Sequence, residues 1–288
     1  MARSVASFEP KSTDEAPALR PQSLLLSFLG DHVLGRDICV FSGSIIDALT
    51  RVGVSEEATR STLSRMAQRG LLLRRRGGRR IYFGLTPRTI AILEDGERRM
   101  KAGVVNREAN GSWTLLGFSL PESWQRQRHD LRSRLIWAGF GPLQSGLWMA
   151  PSEVDVSSIV DELGLEARVK VFVASPRAPT DIAQLARDAY DLEGLAARYE
   201  GFVGRWGPGK LARQAPDALV RKLLLTTEWL QLIRQDPRLP LKLLPARWPA
   251  VKAERLFKTL NASYEAAAQR IARATFDVIP SAPKKRRS

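Results

Sequence analysis

Leu71-Leu72-Leu73-Arg74-Arg75-Arg76-Gly77-Gly78-Arg79-Arg80-Ile81-Tyr82-Phe83-Gly84-Leu85 is the stretch on which the fold turns. Two short strand-like runs flank Gly77-Gly78, a pair that tolerates positive φ at both positions and so reads as a two-residue hairpin turn. Five arginines, Arg74, Arg75, Arg76, Arg79 and Arg80, crowd its tip. Adjacent like charges repel, so a hairpin that carries five of them points to a polyanionic partner. Immediately upstream, Ser55 reads as a helix N-cap, followed by Glu56 and Glu57 where the helix dipole favours acids. The helix that follows puts Ala58, Thr62, Leu63 and Met66 on one face and ends at Gly70. Its other face presents Thr59, Arg60, Ser61, Ser64, Arg65, Gln68 and Arg69.

Working outward, Ile45, Ile46 and Leu49 have the spacing of one helix face within Ser42–Leu49, and Val52-Gly53-Val54 makes the turn into the next helix. Pro21 opens an earlier helical run that ends at Gly30. After the hairpin, Thr86 caps a helix with Pro87 at its first position. Helix, helix, turn, helix and basic hairpin in this order predict a winged helix-turn-helix over residues 21–101. The helix Ala58–Arg69 would then lie in the major groove, where Arg reads guanine and Ser or Thr bonds a base or phosphate. The hairpin arginines suit phosphates or a minor groove. The expected DNA-binding set is Thr59, Arg60, Ser61, Ser64, Arg65, Arg69, Arg74, Arg75, Arg76, Arg79 and Arg80.

Charge supports this placement. The 288 residues carry 45 Lys+Arg against 30 Asp+Glu, a net +15. Residues 51–101 alone hold thirteen basic and five acidic side chains, and the tail Lys284-Lys285-Arg286-Arg287 adds four more charges. Twelve of the fifteen excess charges therefore sit in the hairpin module and the tail, and the remainder is nearly neutral. At 44% hydrophobic the chain has material for a core. A single cysteine, Cys39, excludes an internal disulfide and multi-Cys metal sites, and two histidines, His32 and His129, exclude a His-rich one. No apolar run approaches a membrane span, and the first residues lack a secretory h-region, so a reducing cytoplasm is the expected compartment.

Beyond a linker at Gly103–Gly111 the pattern changes. Trp113–Leu120 reads as a strand, and Pro121-Glu122 open a helix to about Ala138. Gly141–Met149 reads as a strand pair, Ser152–Leu163 as a helix and Val169–Ala174 as a strand. Strand, helix, strand, strand, helix, strand is the ferredoxin-like order, expected over 112–176. Helices are expected over Asp181–Trp206, Ala215–Ile233 and from Pro249 to about Phe276, making a helical domain over 180–279. Gly204–Lys210 reads as a loop. Residues 1–20 are expected to be a mobile arm and 280–288 a basic disordered tail. The class is α+β.

The order of parts and several segments resemble the PaaX family, transcriptional repressors of phenylacetate catabolism. Carrying the resemblance are Glu57–Met66, Trp113-Thr114-Leu115, Arg128-His129-Asp130-Leu131-Arg132, Trp137–Gly141 and Gly146–Pro151. Asp236-Pro237-Arg238-Leu239-Pro240, Leu244-Pro245 and Trp248-Pro249 continue it, so that it spans about residues 20–265. It implies a homodimeric repressor on a double-stranded DNA operator, released by an aryl-coenzyme A thioester such as phenylacetyl-CoA. It also implies a middle domain shaped like that of the CRISPR adaptation nucleases. The long N-terminal arm and the Pro-Lys-Lys-Arg-Arg-Ser end depart from the family pattern.

Catalysis finds little support. A nuclease of the middle domain's shape needs a carboxylate near the end of its first strand, where Phe118-Ser119-Leu120-Pro121 stands. Glu122 lies just beyond, in an ordinary first-turn position. There is no Gly-x-Ser-x-Gly, no Walker loop and no Gly-x-Gly-x-x-Gly. Cys39 sits among apolar neighbours and reads as an inert buried thiol. The expectation is a non-enzyme without cofactor or metal, with a non-specific nucleic-acid binder or a metal-dependent nuclease as the alternatives. Trp113, Trp124, Trp137 and Trp148 read mainly as core. Trp148 is the candidate to touch an aromatic acyl group, with Arg128, Arg132 and Arg134 as candidate partners for the phosphates of coenzyme A.

Overall fold

The structure, a computed structural model, describes residues 19–107, 111–207 and 215–281. Most of the predicted arm, part of the 103–111 linker, Pro208–Lys210 and the cluster Lys284–Arg287 lie outside the described residues. Within them the chain is mixed α+β, with ten α-helices and two four-stranded antiparallel sheets.

The first half runs α1 (Pro21–His32), β1 (Ile38–Phe41), α2 (Ser42–Thr50), α3 (Glu56–Gln68), β2 (Leu72–Gly77), β3 (Arg80–Leu85) and α4 (Pro87–Ala102). Then come β4 (Trp113–Phe118), α5 (Gln125–Trp137), β5 (Gly141–Gln144), β6 (Leu147–Ala150), α6 (Ser157–Leu163) and β7 (Val169–Ala174). The last part is α7 (Ile182–Ala189), α8 (Leu192–Trp206), α9 (Ala218–Ile233), α10 (Pro249–Thr275) and β8 (Val278–Pro280).

The hairpin forms where the arginines place it, but its turn is shifted by one residue. Gly77 is the last residue of β2 and pairs with Arg80, so Gly78 and Arg79 make the turn. Only Gly78 has positive φ, 59°, the sign a II′ hairpin needs at its first central position. Gly77 is small for another reason: a Cβ there would come 2.9 Å from the Tyr82 ring.

The first sheet has the order β2-β3-β1-β8. β1 and β8, four and three residues long, lie outside the strands expected from the sequence. β8 makes the segment after α10 a strand of the N-terminal sheet, with Ile38↔Pro280, Cys39↔Ile279 and Val40↔Val278 in register. Pro280 therefore belongs to that sheet and not to the expected tail. Side chains continue the joint. Leu24, Leu25, Phe28 and Leu29 of α1, Leu63 and Met66 of α3 and Phe83 of β3 share one core with Leu219 and Leu223 of α9 and Ala272 of α10. Arg51 pairs with Asp217, which also caps α9 by accepting from Leu219 N at 2.9 Å. Gln269 on α10 accepts from Arg36 at 2.9 Å and donates to Asp31 O at 3.1 Å.

The second sheet has the order β5-β6-β4-β7. Its alternation serves two cores: Leu116, Trp148 and Ala150 face α5 and α6, while Trp113 and Met149 face the C-terminal helices. The helix boundaries differ from expectation where side chains compete with the backbone ladder. Thr114 Oγ1 donates to Ser152 O (2.7 Å) and accepts from Val154 N (2.9 Å), so the helix expected from Ser152 starts at Ser157. The helix expected from Pro121 starts at Gln125. The single helix expected over Asp181–Trp206 is two, broken at extended Tyr190, whose hydroxyl donates to Met149 O (2.9 Å) and Gly139 O (3.1 Å). Asp191 then caps α8. Gly204-Arg205-Trp206, read as a loop, is the last turn of that helix. The linker is pinned: Glu254 on α10 accepts from Val104 N (2.8 Å) and Val105 N (3.1 Å).

Two neighbours at the end of α1 titrate in opposite senses. Burial, against the attraction of Lys222, raises Asp31 from its ordinary 3.8 to about 6. Burial, with Arg36 and Lys222 adding, lowers His32 from 6.5 to about 4. The unfolded chain binds the His32 proton more readily, so this residue loses stability as pH falls from 6.5 to 4. Folded Asp31 binds its proton more readily, so it gains stability as pH falls from 6 to 3.8. The two largely offset. The stability difference between His32→Phe and the wild type is expected to grow as pH falls from 6.5 to 4, by about 1.4 kcal/mol per unit at most. Urea midpoints at three pH values check it, and a pH-independent difference refutes it.

Candidate nucleic-acid interface

Ser55 accepts from Ala58 N at 3.2 Å and starts α3 where the sequence says it should. The helix buries Thr59, Thr62, Leu63 and Met66, the i, i+3, i+4, i+7 stripe. Thr59 thus belongs to the core face: it is wholly buried and its hydroxyl donates to Ser55 O at 3.0 Å, so it presents nothing to a partner. Arg60, Ser61, Ser64, Arg65, Gln68 and Arg69 are exposed. Arg60 pairs with Glu56 at 2.6 Å, an i,i+4 pair that is exposed at both ends and so readily exchanged for another anion. Arg65 donates to Ser61 Oγ (2.5 Å) and Thr62 Oγ1 (3.2 Å), which holds its guanidinium along the helix.

The hairpin divides its arginines by strand alternation. Leu72, Arg74 and Arg76 project to the side on which α3 lies, and Leu72 anchors that side in the core. Arg60, Ser64 and Gln68 of α3 and Arg74 of β2 line one groove of about 270 Å³, floored by Leu63, Ile81 and Phe83. Arg75 projects the other way, and its Nη1 donates to Pro280 O (2.8 Å) and Ser281 O (2.6 Å) beyond β8. Arg80 pairs with Asp277 at 2.6 Å, which raises its pKa, and lies 5.0 Å from the centre of the Phe41 ring. Tyr82 donates to the same carboxylate at 3.0 Å. Of the five hairpin arginines, Arg75 and Arg80 hold the C-terminal strand, while Arg74, Arg76 and Arg79 are exposed without an ion pair among the described residues. Sequence reasoning missed Asp277 because it lies 197 residues from Arg80.

Three family models match the chain. "PaaX-like protein" covers residues 20–89, "PaaX protein central Cas2-like domain" 106–186 and "PaaX-like protein C-terminal domain" 190–274. The transcriptional repressor PaaX of Escherichia coli K12 is 31% identical over 250 residues, 81% of this chain and 77% of that protein. The chain belongs to the PaaX family. Among solved structures, the uncharacterized protein Rv0674 of Mycobacterium tuberculosis aligns over 90% of this chain and 99% of its own, with a TM-score of 0.58 and 25% identity.

The groove at α3 falls inside the first PaaX match, and the candidate effector residues fall inside the central one. Trp148 is 5% exposed, packed with Leu116, Leu131 and Phe140. Arg128 donates to Leu120 O at 2.7 Å, Arg134 pairs with Glu162 at 2.6 Å across α5 and α6, and Arg132 is exposed. None of them lines the groove at α3 or the clefts among the C-terminal helices. Among the described residues no group of three or more His, Cys, Asp or Glu is placed to hold a metal, and no helix is long and apolar enough to cross a membrane.

Proposed function

We propose that this PaaX-family protein is a sequence-specific DNA-binding transcriptional repressor that reads its operator with α3 and the β2–β3 hairpin. The observation that carries the reading is the shared groove: two arginines, a serine and a glutamine from two elements converge on one exposed face. The order of parts supports a winged helix-turn-helix, with α3 in the major groove and Arg76 and Arg79 at the wing's end near phosphates. The order β5-β6-β4-β7 supports a ferredoxin-like middle unit. The relative's printed name, transcriptional repressor, supports the regulatory role.

The protein acts as a homodimer and leaves DNA on binding an aryl-CoA thioester such as phenylacetyl-CoA. Edge strand β7, with Phe172 60% and Val173 59% exposed, offers a self-complementary apolar surface for a second copy. By linkage, operator and effector weaken each other's binding by the same factor. Footprinting on the DNA upstream of its own gene, with and without phenylacetyl-CoA, tests all three parts. Expected are two half-sites about 34 Å apart, or a multiple of that, cleared by the thioester and not by coenzyme A. A single half-site overturns the dimer, persistence with thioester overturns the effector, and protection without a preferred sequence leaves a charge-driven binder.

A further inference from the structure

A cleft of about 450 Å³ opens between α1 and α4 on one side and α9 and α10 on the other. It lies at the joint between the DNA-reading half and the C-terminal helices. Its walls are apolar, with Leu26, Leu93, Met100, Leu230 and Phe257. Its floor is polar and incompletely satisfied. Lys222, 4% exposed, directs its ammonium at Asn261 Oδ1 (3.1 Å), Glu265 Oε2 (2.5 Å) and Asp31 Oδ1 (3.5 Å). Asp31 Oδ2 and the hydroxyl of Thr226, a residue 3% exposed, are both buried, and neither completes a hydrogen bond although Thr226 is near enough to favour the Asp31 carboxylate. Orphaned buried polar atoms are rare in folded proteins, and two beside one apolar cleft of ligand size mark a place where something binds.

We propose that this cleft binds a small organic molecule with an apolar, ring-sized body and an uncharged amide-like end. A carboxylate at the floor would meet Asp31 and Glu265, and the buried cation there, Lys222, has three acceptors already; of the other cations that line the cleft, Lys101 and Lys258 pair with Glu97 and Glu254, and Arg234 lies over the Trp137 ring. A carboxamide fits both orphans, its N–H donating to Asp31 Oδ2 and its C=O accepting from Thr226. Gly30 and Gly96 keep the cleft open. A Cβ at Gly96 meets only Leu230 Cδ2, at 3.6 Å, and one at Gly30 only Leu93 Cδ2, at 3.7 Å, so the space could hold side chains that the sequence leaves out. Because α1 packs on α2 and α3 as well as α9, an occupant here acts on the joint that sets the angle of the reading helix. The inference goes beyond the effector reading above: an aryl-CoA thioester carries phosphates and a thioester, not an amide, at its aryl end, so the neutral ligand of this cleft is a second one.

Saturation-transfer NMR on the full chain, without DNA, with phenylacetamide and phenylacetate as probes, tests it. Phenylacetamide is expected to bind, and phenylacetate about tenfold or more weakly. Gly96→Leu, which fills the cleft and favours the helix, should abolish phenylacetamide binding, and isosteric Thr226→Val should weaken it by about tenfold. Absence of a phenylacetamide signal on the wild type, or an undiminished one on Gly96→Leu, overturns the proposal. Thermal melts verify folding, and Thr226→Val decides if Gly96→Leu does not fold. No DNA is present, so a failed footprint and a failed cleft are separate results.

Discussion

Replacing Arg60 and Arg74 together with alanine is expected to lower operator affinity by roughly 30-fold to 25,000-fold, since each base or phosphate contact is worth about 1–3 kcal/mol. The two residues sit on different elements, α3 and β2, yet line one groove with Ser64 and Gln68. A duplex seated there meets both at once. Neither is committed elsewhere: Arg60 has only its exposed pair with Glu56, and Arg74 has no ion pair among the described residues. Folding should be almost untouched, because exposed side chains away from caps and cores change stability by about 0.5 kcal/mol or less. Arg75→Ala supplies the contrast. Its guanidinium bonds two carbonyls after β8, so its loss should loosen the C-terminal strand and cost stability, with a smaller direct effect on DNA. Gel shifts at fixed salt, with melting curves on the same preparations, separate the two outcomes. If Arg75→Ala weakens DNA binding as much as the Arg60→Ala/Arg74→Ala chain at unchanged stability, the groove is not the reading face.

This contrast shows where a sequence is readable and where it is not. Local signals were legible: Ser55 and Thr86 as caps, the apolar stripe of α3, the strand pair at Gly146 and the crowded hairpin all depend on neighbours within a few residues. Long-range partners were not. The five hairpin arginines look equivalent in sequence, and only the return of residues 277–281 divides them into two that hold β8 and three that face outward. Thr59 was misplaced for a subtler reason. Its hydroxyl suggests an outward residue, but its phase relative to Leu63 and Met66 is that of the core, and a backbone carbonyl satisfies the hydroxyl there. The partition into a basic head and a neutral body also changes. The N-terminal half shares its core with α9 and α10, so the two are joined through packed side chains and not only through the linker.

α9 packs into both cores, that of the N-terminal half and that of the C-terminal helices, and Glu228→Ala is expected to destabilise the protein by about 3–5 kcal/mol. Glu228 is 6% exposed. Its Oε1 accepts from Arg205 Nε at 2.9 Å and also from Nη2, and its Oε2 accepts from Trp206 Nε1 at 2.8 Å. The side chains are 16% (Arg205) and 7% (Glu228) exposed, and Trp206, the third partner, packs with Phe202 on α8, which meets Trp229 on α9, itself stacked on Phe257 of α10 at 4.6 Å. Removing the carboxylate leaves a largely buried guanidinium and a buried indole N–H without their acceptor. Glu228→Gln keeps one acceptor oxygen without the charge and should lose less. Arg205→Leu combined with Glu228→Leu removes both charges at once and should cost less than Glu228→Ala alone, because no buried charge is left unpaired. Urea unfolding of the full chain gives all three values. A loss below about 1 kcal/mol for Glu228→Ala would mean that the pair behaves as a solvated surface bridge. The same helix carries Leu219 and Leu223 into the core of the N-terminal half, so the variant should also melt that half at a lower urea concentration than the wild type, in one transition.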